Sequence, residues 1–227
     1  MVRETYIREL ERLQGELLAM GSMVENALVE SVQLLKRQDL EGARRLVAGD
    51  YLINQKRFAI EADVLVLIAT QQPMAGDLRV LAAILEIVTE LERMGDYAKG
   101  IARIALMIGK QPLIKPLVDL PRMAEKARDM LHQSLDAFMR RDIELARAIP
   151  AQDEEVDALY NQVYRELLTY IMADPRTLDQ ATHLLWVAHN LERTADRVTN
   201  ICERVVFMVT GEMAEMDTEN AGVESIA

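Results

Sequence analysis

Leu91-Glu92-Arg93-Met94-Gly95-Asp96 returns at an offset of 100 as Leu191-Glu192-Arg193-Thr194-Ala195-Asp196. Upstream, Arg37-Gln38-Asp39-Leu40-Glu41-Gly42-Ala43-Arg44 matches Arg140-Arg141-Asp142-Ile143-Glu144-Leu145-Ala146-Arg147 at an offset of 103. Asp50 and Asn54 fall on Asp153 and Asp157 at that same offset of 103. A chain that repeats in register at this many places is two copies of one supersecondary unit. The change of offset falls at Pro73 and Pro175, in turns, where length differences are tolerated. Pro112, Pro116 and Pro121 lie between the copies, and proline cannot continue a helix.

Apolar periodicity then predicts three long helices in each copy, residues 5–37, 39–70 and 76–109, then 120–141, 142–173 and 176–210. Asp174-Pro175 reads as an N-cap with proline in the first turn, and Asp77 is expected to cap the matching helix of the first copy. Long helices joined by short turns pack as antiparallel neighbours. The fold expected is all-α, two tandem three-helix bundles related by an internal repeat. The first bundle spans 1–110, a proline-rich linker 111–121, the second bundle 122–210, and an aperiodic, frayed tail 211–227.

Composition agrees. Of 227 residues, 50% are apolar and only 4% aromatic, a balance that favours helix over sheet. The net charge of −11 argues against nucleic acid and anionic membrane surfaces as partners. Arg3, Glu4, Arg8 and Glu9 interrupt any leader-like apolar run. The longest charge-free stretch, residues 64–76, is too short to span a bilayer. One cysteine, Cys202, allows neither an internal disulfide nor a thiolate zinc site. A cytoplasmic protein with no direct membrane insertion is expected.

Glu92 and Asp96, like Glu192 and Asp196, are four apart and share one helical face. At about 100° per residue, Glu92 lies close to Leu81 and Leu85, whereas Arg79, Glu86, Glu90, Arg93 and Tyr97 form another sector, expected to face solvent. In the second copy Asp179, Arg193, Arg197 and Arg204 share that sector. Each acidic pair therefore continues an apolar stripe at the flank of the core, where an unpaired charge is costly. Asp50 with Asn54, and Asp153 with Asp157, stand on the neighbouring helices and can complete the sets. Such oxygen-rich sets suit iron, manganese, zinc or another divalent cation. A solvated face in which Arg93 and Arg193 pair with Asp96 and Asp196 is the plainer alternative.

The same positions resemble the PhoU family. The resemblance is carried by Met20-Gly21-Ser22-Met23-Val24-Glu25, by Gly49-Asp50 with Asn54, and by Gln72-Pro73 with Ala75 and Asp77-Leu78-Arg79. The two Leu-Glu-Arg motifs, the second extended to Arg197, complete it. It implies two three-helix bundles with multinuclear metal sites at paired acidic motifs in some members. It also implies a non-enzymatic cytoplasmic regulator, a homodimer, that restrains phosphate-starvation signalling. Its implied partners are the ATPase subunit of the phosphate ABC transporter and a phosphate-sensing histidine kinase. Asn54 stands where the pattern has a carboxylate, and Ala195 where the first copy has Gly95. Asp153, Asp157, Glu192 and Asp196 are thus expected to form the better metal site, and Asp50, Asn54, Glu92 and Asp96 the weaker.

His132, His183 and His189 stand in no Glu-x-x-His pair, which the ferritin-like di-metal enzymes require. Cys202, among Val198, Ile201, Val205 and Val206, reads as core. No glycine-rich phosphate cradle and no nucleophile with an adjacent base is apparent. Two alternatives remain. A spectrin-like structural repeat is opposed by the linker prolines, and a carboxylate-bridged di-metal enzyme by the missing histidine pairing.

Overall fold

The computed structural model describes residues 2–213 and 215–216; of the expected tail, 217–227 lies outside the described residues. The first repeat comprises α1 (Val2–Arg37), α2 (Leu40–Gly49), α3 (Tyr51–Gln71) and α4 (Gly76–Ile108). The second comprises α5 (Asp119–Arg140), α6 (Ile143–Ala148), α7 (Asp153–Ala173) and α8 (Leu178–Thr210). Among the described residues there is no strand. The fold is all-α, two tandem three-helix bundles, in which α2 with α3, and α6 with α7, take the place of the middle helix.

That middle helix is where the expected boundaries fail. The spans 39–70 and 142–173 were each expected to be continuous, yet each is broken after its first turns. In the second repeat Pro150 removes a backbone donor, and Pro150–Gln152 tightens into a 3₁₀ turn. In the first, the chain bends after Gly49 through Asp50, whose carbonyl still accepts from Ile53 and Asn54. Two caps also differ from expectation. Asp174 accepts from the Arg176 amide at 3.1 Å, but Pro175–Thr177 is 3₁₀ and α8 starts only at Leu178. Asp77 does not cap α4; Ala75, at φ 49°, takes the cap position with no side-chain bond, and Asp77 sits inside the first turn. There its charge meets the positive end of the helix dipole.

The first sequence repeat proves to be a turn built twice. Gln38 and Arg141, 103 residues apart, both adopt left-handed backbone, at φ 52° and 55°. The following Asp39 and Asp142 cap α2 and α6 by accepting from the Gly42 and Leu145 amides at 2.9 and 3.0 Å. Just upstream, the fully buried Ser31 and Ser134 donate to the Leu28 and Leu131 carbonyls, each at 2.7 Å. These hydroxyls are satisfied inside their own helices, so they sit in the core without an unmet hydrogen bond.

Leu13, Leu17, Met20, Val24 and Leu28 run down α1 at three- and four-residue spacing and are all buried. Each such side chain contributes about 1.5–3 kcal/mol by leaving water. Gly21 lets α1 approach α5, because a Cβ there would come within 2.3 Å of Leu135 Cδ1. The most extensive interhelix contact joins α4 to α8, across the two repeats, and the apolar cluster runs through both. This contact corrects the expected solvent sector at Glu90, while Glu86 and Arg93 are exposed as expected. Glu90 is buried, only 6% exposed, because the face holding Glu90, Tyr97, Arg193 and Arg197 packs against the other repeat.

The linker residues are ordered against this body. Gln180 on α8 accepts from the Ile114 amide at 2.6 Å and donates to the Pro112 carbonyl at 3.1 Å. Lys115 is buried and pairs with Glu166 on α7 and, at 4.0 Å, with Asp119.

Candidate functional site: the paired acidic sets

In the first repeat α4 places Glu92 and Asp96 one turn apart, and the bend between α2 and α3 brings Asp50 beside them. Asp50 is buried, Glu92 half-buried and Asp96 exposed. Asn54 donates to Asp50 Oδ2 at 3.3 Å. Gly95 makes the close approach possible, since a Cβ there would meet Ile53 of α3 at 3.1 Å.

Two cations complete this set. Lys99 Nζ lies 2.6 Å from Asp50 Oδ2 and 3.1 Å from Asp96 Oδ1. Arg57 on α3 lies 3.4 Å from Glu92 Oε2 and 2.7 Å from Glu61. Burial, the most influential cause, pushes the Glu92 carboxyl up; Asp96 and Asp50 add to the rise, and Arg57 opposes it. The carboxylate hydrogen bond from Asp50 is the main influence holding the Lys99 ammonium above its ordinary range. Asp50, Asn54, Glu92 and Asp96 thus lie at one junction of α4 with the α2–α3 bend, together with Lys99 and Arg57, which residue spacing did not single out. Their signal was nonetheless present. Lys99 is one turn from Asp96, at the (i, i+3) spacing, and Arg57 stands three residues after Asn54 on α3.

As arranged, the first set does not fit a metal ion. A divalent cation would sit about 2.0–2.6 Å from the same carboxylate oxygens that hold the ammonium. Among the described residues, no group of three or more His, Cys, Asp or Glu side chains is gathered to hold a metal.

In the second repeat Asp153 opens α7, Asp157 follows one turn later, and Glu192 and Asp196 stand on α8. Glu192 and Asp153 are half-buried; Asp157 and Asp196 are exposed. His189 Nδ1 is 3.2 Å from Glu192 Oε2. The His189 ring lies 6.3 Å from Tyr160 and 6.4 Å from Trp186, centroid to centroid. Burial, then the Glu192 charge, pushes the Tyr160 phenol up. These four residues, Leu185 included, line an open cleft of about 340 Å³. The sequence reading set His189 aside because it is not Glu-x-x-His; the order His-x-x-Glu places it on the same face. The residue types here, carboxylates with one adjacent imidazole, are those a borderline divalent cation takes, but as placed no three of them are gathered about one point.

Of the remaining histidines, His132 on α5 approaches Glu25 on α1 at 3.2 Å. Cys202 is fully buried, and desolvation pushes its thiol up to about 12.

Fold and site define a class: tandem three-helix bundles whose last helices carry paired carboxylates on corresponding turns. Comparison with known proteins gives the family. The PhoU domain model matches twice, at residues 17–105 and 120–205, and the chain belongs to the PhoU family. It is 41% identical over 210 residues to a phosphate-specific transport system accessory protein PhoU homolog of Caulobacter vibrioides, covering 92% of this chain and 91% of that one. It is 38% identical over 204 residues to the accessory protein PhoU of Escherichia coli K12, covering 90% and 85%. The phosphate transport system regulatory protein PhoU from Streptococcus pneumoniae superposes with a TM-score of 0.85 at 32% identity, covering 92% of this chain and 99% of that one. PhoU from Pseudomonas aeruginosa gives a TM-score of 0.85 at 34% identity, covering 91% and 100%.

Proposed function

We propose that this chain is a non-enzymatic cytoplasmic regulator of phosphate uptake that restrains phosphate-starvation signalling. The observation that carries the proposal is the match of both repeats to accessory proteins of phosphate-specific transport over about nine-tenths of the chain. In this reading it docks, as a homodimer, on the ATPase subunit of the phosphate ABC transporter and on a phosphate-sensing histidine kinase. Long helices supply broad faces for such docking. The charge of −11 favours partners with basic patches, which speed encounter and fix orientation. No described helix is long and apolar enough to cross a membrane, so in this reading membrane location comes through the partners. Deleting the gene in its own host and growing the cells in ample phosphate tests the proposal. Phosphate-starvation genes should switch on, and restoring the gene should silence them. Unchanged expression would overturn it.

Metal binding belongs to the same reading, at Asp153, Asp157, Glu192 and Asp196. A metal held there would supply positive charge that draws α7 and α8 together and sets the geometry of the neighbouring face. The residue types support it: at the offsets of the repeat, Tyr160 and Thr199 stand where the first set has Arg57 and Lys99. Elemental analysis of protein purified without added metal tests it, with Glu192→Ala/Asp196→Ala as the control that should lose the metal.

A further inference from the structure

We infer that Lys99 is a built-in counter-ion that takes the place of a metal in the first repeat, so that metal occupancy of this chain is one-sided. One ammonium lies within 3.1 Å of both Asp50 Oδ2 and Asp96 Oδ1, the two oxygens that come from different helices. A cation bridging α4 to the α2–α3 bend through Asp50 and Asp96 would compete with the ammonium for those carboxylates. The place is taken, and by a group the chain itself carries.

Charge points the same way. Asp50, Glu92 and Asp96 are three carboxylates, Asn54 contributes none, and Lys99 and Arg57 supply two positive charges. Lys99 already answers Asp50 and Asp96 from within the chain, and Arg57 is shared between Glu92 and Glu61. A divalent ion would have to displace an ammonium whose partner Asp50 is only 7% exposed. Moving Lys99 out takes from Asp50 its cation and leaves it the Asn54 amide, and a buried carboxylate stripped of its cation is costly.

The substitutions are also coupled across the set. Amide replaces carboxylate at Asn54, lysine stands where the second repeat has Thr199, and arginine where it has Tyr160. All three changes lower the negative charge of the first set relative to the second. Each alone weakens a cation site; together they replace it with internal ion pairs. In the first repeat the bridge between α4 and the α2–α3 bend is then permanent and does not respond to metal.

The experiment uses the full chain with Glu192→Ala and Asp196→Ala, which silences the second set and separates this inference from the metal reading proposed for it. Manganese alone is the probe, with bound metal read by equilibrium dialysis and folding by circular dichroism. With Lys99 present, this protein should take up no manganese that depends on Asp50 and Asp96. Adding Lys99→Thr, the residue of the second repeat, should raise manganese affinity by on the order of a hundredfold. A hundredfold is well below the full repulsion between +2 and +1 charges about 5 Å apart at an effective dielectric near 20, because a lysine side chain can swing away from an arriving ion. Uptake that Lys99 does not prevent and that Asp50→Asn abolishes would overturn the inference. So would a folded Lys99→Thr protein with no gain. A measurement on the unaltered chain covers a variant that does not fold: the rate of reductive methylation at Lys99, followed by mass spectrometry. Manganese should leave that rate unchanged; an acceleration would mean that metal displaces the ammonium, and the inference would fall.

Discussion

Glu90 on α4 and Arg197 on α8 meet at 3.5 Å across the seam between the two repeats, with Arg93 at 2.9 Å from the other Glu90 oxygen. Asn200 approaches the same Glu90 oxygen as Arg197, at 3.4 Å, and Tyr97 accepts from Arg193 at 3.1 Å. Asn190 lies against Gly100, where a Cβ would come within 3.1 Å of its amide. Glu90–Asn200 and Gly100–Asn190 exchange under the 100-residue offset, so α4 and α8 cross antiparallel about a local two-fold. The repeat seen in sequence is therefore also the symmetry of the seam.

Replacing Glu90 with Ala should destabilise the chain by about 2–4 kcal/mol, because it strips a half-buried Arg197 of its carboxylate inside a packed interface. Glu90→Gln, which keeps shape and one acceptor, should cost less. Urea denaturation of the two variants checks the order. Equal, negligible losses would mean that the seam is solvated.

The linker gives a second expectation. Gln180 makes two hydrogen bonds to linker backbone, at Pro112 and Ile114, and is only 9% exposed. Gln180→Ala leaves an amide and a carbonyl without that partner, at about 1–3 kcal/mol. The loss should appear both in global stability and as faster hydrogen exchange at the Ile114 amide.

The duplicated turn predicts a matched pair. Asp39→Ala and Asp142→Ala each remove one N-cap bond of nearly equal length, 2.9 and 3.0 Å. Each should lower stability by about 1 kcal/mol, and the double variant by the sum, since the caps sit in different repeats. Thermal melts of the three proteins decide it.

How much of this was legible in the sequence follows from what periodicity can express. The repeat register and the equivalence of Glu92 with Glu192 follow from offsets, which need only residue order; the break that splits each middle helix in two does not. The solvent assignment of Glu90 failed because helical azimuth identifies a polar sector without saying what packs against it. In a two-bundle protein the polar sector of α4 meets the polar sector of α8, and Arg197 satisfies Glu90. Pro150 was readable as a break but was passed over within a strongly apolar-periodic run. Lys99 was readable only by asking which cation could reach both acids, a question of distance that spacing does not answer.

Cys202 provides the last expectation, and its sign can be worked out. The thiol is fully buried on α8, and burial pushes it from an ordinary 9.0 up to about 12, with Glu203 adding to the rise. The unfolded thiol loses its proton near pH 9, whereas the folded one holds it until about pH 12. Between those values the folded state binds more protons, so stability falls as pH rises through this window and is unaffected below it. The thiolate is the nucleophile, so the native chain should resist maleimide at pH 8 and react only as it opens. Labelling should therefore follow the urea unfolding curve. Cys202→Ala should remove this contribution to the alkaline loss at the cost of a small cavity, about 1 kcal/mol or somewhat more. Rapid labelling of the folded chain at pH 8 would show that this part of α8 is open to solvent and would refute the buried placement.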